Sequence, residues 1–450
     1  MNLLLVRPKS IGIVASINLI NLEPLELEYL YTAALEEKVN CEILDCLYDE
    51  RSLEETLKSF NPDMVAITGY ITQEPMIIQY SRIIKNYDSN IKVMVGGVHA
   101  EVNYKRFYED TIDFIVRSSS LEPFKELIKL VDNDYEKALG NIAGICYRIG
   151  SAWYENKPLA IDPDKLPIPD RSHFNENKDK YRYLGFTPCA IVKTAFSCPY
   201  QCNFCFCRKV NNGHYAARSM EKVVEEIEGI QCDNIHIVDD SFLLNTDRVN
   251  KFIELIKEKG IKKNYIFYSR ADFIVNNEKL IGELADIGTK AIIVGLEAID
   301  DSALDSYTKA TSTDFNEQCV NILKKYHIDC ISLFIVNIDD TKEDFDKLYK
   351  WIKDKGLHYS TVSIFTPVPG TDIFHQYKDE IITDNIEHWD FLHLVLEPKN
   401  MSRKAFYLEF YKLTIKIALL GKKKGVYDYI DINYIMKAAG KFVKSVVKSL

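Results

Sequence analysis

Residues 198–205 read Cys198-Pro-Tyr-Gln-Cys202-Asn-Phe-Cys205, directly after an apolar run that includes Ala190-Ile-Val192. Thiolates are soft ligands and hold iron–sulfur clusters. A short loop with this C-x3-C-x2-C spacing can bring three of them to one face of a cube. That is one ligand fewer than a four-iron cluster takes. One iron is then left open, and an open iron in a buried site is a place for a substrate or cofactor to bind. A zinc site is the competing reading: zinc takes four ligands, and Cys207 is available as a fourth. Buried thiols with no metal are the other.

Outward from the cysteines, a strand–helix alternation runs from Cys189 to Pro369. Strands are expected at residues 190–195, 234–238, 265–269, 291–295, 329–336 and 360–365. Helices are expected at 219–230, 248–259, 278–286, 315–325 and 342–355, the first opening at Ser219. Six such units make an open, partial (β/α)6 barrel. Barrels carry their chemistry at the C-terminal ends of the strands. Those ends are the cysteine loop, Asp239-Asp240-Ser241-Phe242, Ser269-Arg270-Ala-Asp272, Gly295-Leu-Glu297, Asn337-Ile-Asp339-Asp340-Thr341 and Thr366-Pro-Val-Pro-Gly370-Thr371.

The order of these motifs resembles the radical S-adenosylmethionine (SAM) enzymes, in which the open iron chelates SAM and the reduced cluster cleaves it to a 5′-deoxyadenosyl radical. The resemblance implies that Cys198, Cys202 and Cys205 hold a [4Fe-4S] cluster, with Phe204 at the family's aromatic position. It places Asp239, Asp240, Ser269, Arg270 and Glu297 around SAM. Carboxylates there would take the methionyl ammonium, and Arg270 would fork onto the methionine carboxylate. Glu297 would accept from ribose hydroxyls or pair with Arg270. The fifth strand end departs from the family's Gly-x-Pro turn, so the adenine-side loop is expected to differ. Cys207 is left as a spare thiol.

The N-terminal third alternates strands (2–6, 41–45, 64–68, 91–95, 114–117) with helices (25–37, 76–85, 121–131), which reads as a Rossmann-like parallel sheet covered on both faces. Ligands of such sheets bind at the carboxyl strand ends. Thr68-Gly69 and Gly96-Gly97 lie there, and glycine lets a ligand approach the backbone closely. Together with Pro24-Leu25, Asp45 and Asn61-Pro-Asp, these residues resemble the cobalamin-binding domain of one branch of the radical SAM family. Thr68, Gly69, Gly96, Gly97 and His99 are the implied cobalamin contacts. An Asp-x-His-x-x-Gly motif, which supplies a lower histidine to cobalt elsewhere, does not occur.

Residues 133–186 hold a hairpin (144–150 with 152–154) and a proline-rich connector, Asp162-Pro-Asp-Lys-Leu-Pro-Ile-Pro-Asp170, which forbids regular structure. The expected domains are 1–132 (cobalamin-binding), 133–186 (linker), 187–375 (radical SAM barrel) and 376–450 (helical). An amphipathic helix is expected from Ser402 to Leu419. The basic residues Lys422–Lys424, Lys437, Lys441, Lys444 and Lys448 suit a packed, solvated helix better than a membrane-surface one.

A net charge of −10 argues against a general nucleic-acid binder. No apolar run is long enough to span a bilayer, and the N-terminus does not read as a signal peptide. Eleven cysteines without a disulfide framework suit a reducing cytoplasm. The resulting expectation is a cobalamin-dependent radical SAM enzyme that methylates an unactivated carbon of a small molecule, fed electrons by a flavodoxin or ferredoxin. The alternatives are a non-methylating radical rearrangement, cyclisation or oxidation, with or without cobalamin, and a non-catalytic metal- or cluster-bearing scaffold.

Overall fold

Leu3 and Leu5 pack on one face of the first sheet, Leu4 and Val6 on the other, and all four are fully buried. That alternation requires helices on both sides. In the computed structural model, which describes residues 1–9, 19–130, 138–309, 311–428 and 440, they are there. Leu25–Glu36 and Glu122–Lys129 cover one face, and Leu53–Phe60 and Glu74–Tyr87 the other. The parallel strands run in the order Asn40–Asp45, Asn2–Arg7, Met64–Thr68, Lys92–Gly96, Phe114–Val116. This order reverses beside Asn2–Arg7, the kind of switch point at which doubly wound sheets bind ligands.

The hairpin joins this sheet instead of forming part of a separate linker. Ile145–Ile149 pairs antiparallel with Phe114–Val116, and Ala152–Glu155 adds the outer strand. The first globular unit therefore extends to about residue 155, beyond the boundary expected at 132. Tyr108 stacks on Trp153 at 4.6 Å and fixes the hairpin to the sheet. The proline-rich run that follows carries one short turn, Pro163–Lys165, and Asp164 accepts hydrogen bonds from Ser219 N and Oγ. Ser219 stands at the N-cap position of Met220–Gly229, but its hydroxyl serves the connector and not the helix end.

The second sheet has six parallel strands in chain order: Cys189–Val192, Asn234–Ile237, Asn264–Ser269, Thr289–Glu297, Asp329–Val336 and Tyr359–Ile364. Helices Met220–Gly229, Thr246–Glu258, Glu278–Asp286, Thr313–Lys325 and Lys342–Asp354 cover its outer face. The inner face carries Cys189, Ile266, Ala291, Ile293 and Ile331, plugged by Tyr183. Among the described residues the two edge strands do not pair with each other, so the barrel is open. Arg403–Lys422, capped by Ser402 Oγ at Ala405 N, packs Phe406 against Phe345. Lys437, Lys441, Lys444 and Lys448 lie outside the described residues.

A buried ionic cluster joins the two sheets. The Arg171 guanidinium donates to Glu23, to the Ile191 carbonyl and to Glu226, while Arg218 donates to the other Glu226 oxygen. Burial, and then the neighbouring Glu23, hold the Glu28 carboxyl well above the usual carboxylate range. With Glu28 protonated, two acids face two guanidinium groups. That balance is what lets so much charge sit away from water.

Candidate active site

The cysteine loop leaves the barrel through a narrow neck. Ala195–Phe196 pairs antiparallel with Ala216–Ala217, so residues 197–215 form one excursion above the first barrel strand. Asp239 fixes the neck. One carboxylate oxygen accepts from Thr194 N at 2.6 Å and Ala195 N at 2.9 Å, and the other from the Thr194 hydroxyl. Asp239 thus commits one oxygen to the neck backbone and the other to the Thr194 hydroxyl, where its expected role was to take the SAM ammonium.

Cys198, Cys202 and Cys205 are half-buried in this loop, close enough for each to feel its neighbours' charge. Burial pushes the Cys198 thiol up to about 11. Among the described residues no three His, Cys, Asp or Glu side chains stand as ligands of a single metal ion. A cube makes a different demand, since each thiolate takes its own iron. Three soft donors on one loop fit a [4Fe-4S] cluster.

Other expected SAM contacts support this loop from below. Phe204 packs edge-on to Tyr307 at 5.2 Å, and Asn203 donates to the Ser306 carbonyl. Arg270 lies over the Tyr200 ring at 4.1 Å and hydrogen-bonds to Asp272 and the Lys309 carbonyl. These contacts brace the loop. Ser269 Oγ donates to the Arg270 carbonyl. Glu297 pairs with Lys309 at 2.8 Å, not with Arg270, and the same ammonium donates to the Gly295 carbonyl. Lys309 is buried and lies in a stretch without a motif, so sequence reasoning passed it over.

Asp240 and Glu297 face open volume. Asp240, with Lys193 3.9 Å away, lines a cavity of about 360 Å³ between the two sheets. Glu297 lines a second cavity of about 750 Å³ with Tyr307, Asn337, Asp339 and Asp340. The second cavity occupies the strand end whose sequence departs from the family. Its Asp340 carboxyl is pushed up to about 7 by burial and by the nearby Asp344, Asp339 and Asp300. A raised carboxyl is protonated in the fold where the unfolded chain has released its proton, so its contribution to stability is present below about pH 4 and is lost as pH rises toward 7. Asp340→Asn keeps an oxygen for the Asn337 N–H. It should therefore be the more stable protein at pH 8, by on the order of 2 kcal/mol, with the gain vanishing near pH 4. Urea unfolding at the two pH values measures this.

The smaller cavity is bedded on the strand ends of the first sheet, at Thr68, Gly96, Gly97 and Ser118–Ser120. Leu25, Leu166, Ile191, Phe196, Phe206 and Val238 face this bed. A Cβ built on Gly96 would meet nothing closer than 3.8 Å, because the space above it is open. A flat bed of small residues opposite an apolar wall fits a corrin macrocycle. The radical SAM superfamily model matches residues 192–352, and the B12-binding-domain model matches residues 13–128. The chain is a cobalamin-binding radical SAM enzyme.

This radical SAM enzyme is 27% identical over 410 residues to an uncharacterized methyltransferase of Pyrococcus horikoshii, covering 86% of this chain and 87% of that one. It is 24% identical over 399 residues to the hopanoid C-3 methylase of Methylococcus capsulatus, covering 87% of this chain and 76% of the relative. The solved structure of the cobalamin-dependent SAM radical enzyme OxsB superposes with a TM-score of 0.74 at 15% identity, over 99% of this chain and 71% of OxsB. At that identity the likeness establishes the shared fold.

Two of the expected cobalamin contacts fall elsewhere. Gly69 is packed against Ile77 and Gln73, where a Cβ would come within 2.9 Å of Ile77. His99 is buried with its Nε2 2.7 Å from Glu74 and its ring edge-on to Phe107, so the imidazole is held inside the first domain. Glu26 and Tyr70, which sequence reasoning did not single out, do line the cavity. Gly97 has φ of +92°, and a Cβ there would lie 2.5 Å from Thr68 Oγ1. Gly97→Ala is therefore expected to destabilise the first domain by about 1–3 kcal/mol and to lower cobalamin retention. Urea unfolding and cobalt content after desalting read the two effects.

Proposed function

We propose that the enzyme transfers a methyl group from SAM to an unactivated carbon of a small, largely apolar molecule. The observation that carries this reading is the shared wall between the cavity and the cysteine loop. Asp240 and Lys193 line the cavity while their charges reach Cys198. A corrin on the strand-end bed and a cluster in the loop would thus face one volume. When bound, the cluster would supply the electron that splits SAM into methionine and a 5′-deoxyadenosyl radical, and cobalamin would carry the methyl group.

The chain's own residues do the positioning. Cys198, Cys202 and Cys205 hold the cluster, and Asp239 and Arg270 keep their loop in place. Asp240 and Glu297, which line the two cavities, take the polar groups of SAM. Thr68, Gly96 and Gly97 bed the corrin. The apolar wall from Leu25 to Val238 excludes water, which a carbon radical requires. The names of the two relatives, a methyltransferase and a methylase, support the same reaction class. A flavodoxin or ferredoxin is the fitting electron donor. Eleven free cysteines suit a reducing cytoplasm. Among the described residues no helix is long and apolar enough to cross a membrane.

The test is anaerobic turnover with SAM deuterated at its methyl group and a panel of polycyclic apolar substrates. A product heavier by one deuterated methyl, formed together with 5′-deoxyadenosine, supports the proposal. Formation of 5′-deoxyadenosine with a product that has lost hydrogen or gained oxygen, but carries no label, would replace it with the rearrangement or oxidation reading.

A further inference from the structure

We propose that the outer face of the helix Arg403–Lys422 is a docking surface for an anionic lipid bilayer. A packed, solvated helix was expected in this region, and one face is packed: Phe406, Phe410, Leu413 and Ile417 are buried against the barrel. The opposite face is not simply polar. Leu408, Ile415 and Leu419 are 64%, 59% and 55% exposed, three of the four most exposed large hydrophobic side chains among the described residues. Scattered exposed hydrophobics are ordinary on a protein surface, but a contiguous row is not. At about 100° of rotation per residue the three fall within about 20° of one line, along about 16 Å of helix. A helix that is apolar on two faces and packed on one leaves the other poorly solvated.

Charge decides what covers it. Lys404, Lys412, Lys422 and Lys423 lie within about 60° of that line and on both sides of it. Lys412 reaches Glu409 and Lys416 reaches Asp346, each at 3.2 Å. Lys404, Lys422 and Lys423 enter no ion pair among the described residues. From Arg403 to Leu450 the sequence carries eleven Lys and Arg against three Asp and Glu, in a chain whose net charge is −10. A second copy of the chain laid on this face would set these lysines against themselves, and so would the four lysines within residues 432–450. A bilayer with anionic headgroups meets both features at once. The apolar row enters the acyl boundary, and the lysine stems run alongside it with their ammonium groups at the phosphates. Because the other face is packed on the barrel, the helix lies along the surface and the contact is peripheral. With an apolar substrate, as proposed above, such docking brings the enzyme to the phase in which that substrate dissolves; the docking itself does not depend on that reading.

The experiment floats the full chain, purified anaerobically, with vesicles of phosphatidylcholine alone and of phosphatidylcholine mixed with phosphatidylglycerol, at low and high salt. Wild type should float with the anionic vesicles at low salt and not with the neutral ones. It should lose most of that binding at high salt, where the lysine contribution is screened. The triple variants Leu408→Gln/Ile415→Gln/Leu419→Gln and Lys404→Gln/Lys422→Gln/Lys423→Gln should each bind the anionic vesicles several-fold more weakly. All six side chains are exposed, so the urea midpoints should match that of wild type. Equal flotation of wild type and the apolar triple variant would overturn the proposal and move the binding to the lysines of residues 432–450. Absence of flotation in wild type would also overturn it. A lower urea midpoint or a changed elution volume in the apolar variant would then identify residues of this chain or a second copy as the cover. Turnover is not read in this test, so its failure leaves the proposed reaction untouched.

Discussion

Cys202→Ala is expected to abolish SAM cleavage while leaving the fold intact. Three thiolates are the least that the cube can be held by with one iron open, and removing one leaves two. Iron per chain should fall from about four to well below one, and 5′-deoxyadenosine should fall to the level of a chain-free control. The fold should survive because Cys202 is half-exposed in a loop whose neck is fixed elsewhere, by Asp239 and by the pairing of Ala195–Phe196 with Ala216–Ala217. Iron analysis, product chromatography and circular dichroism on one preparation measure all three. A variant that kept its iron and its cleavage would move the cluster away from Cys202.

Arg171→Met should be the most destabilising single change outside the site. The side chain is buried and bridges Glu23 near the first domain's opening helix, the Ile191 carbonyl on the first barrel strand, and Glu226 on a barrel helix. Its loss leaves Glu23 and Glu226 facing Arg218 alone, with acceptors unpaired away from water. Breaking a buried pair in this way costs about 3–5 kcal/mol. The two sheets that enclose the smaller cavity meet at this cluster, so cobalamin retention should fall with stability. The urea midpoint and the cobalt content of desalted protein test both parts. A loss under about 1 kcal/mol would mean that the cluster behaves like an exposed pair.

The architecture was legible because its hydrophobic pattern is local. Alternation in Leu3–Val6 and the continuous apolar runs of the barrel strands place strands and covering helices without knowledge of tertiary contacts. The hairpin was assigned to a linker because nothing within 144–155 states which sheet edge it will extend; that depends on Phe114–Val116, which lies about thirty residues earlier. The polar site residues were harder for a single reason. A polar side chain at a strand end can serve a ligand or serve the backbone beside it, and spacing does not distinguish the two. Asp239 serves Thr194 and Ala195, Arg270 braces Tyr200 and the Lys309 carbonyl, and His99 turns to Glu74. Asp240 and Glu297 each line open volume. Lys309 carries no sequence signal; its role appears only when the strand ending at Glu297 and the segment after Tyr307 are brought together.

The most direct test of the account is metal analysis of the full chain, purified anaerobically, reconstituted with iron and sulfide, supplied with hydroxocobalamin and then desalted. The two-cofactor reading predicts about four irons, matching sulfide, and one cobalt per chain. Iron without cobalt would contradict the cobalamin site and make the smaller cavity a candidate substrate pocket. Cobalt without iron would contradict the radical chemistry itself.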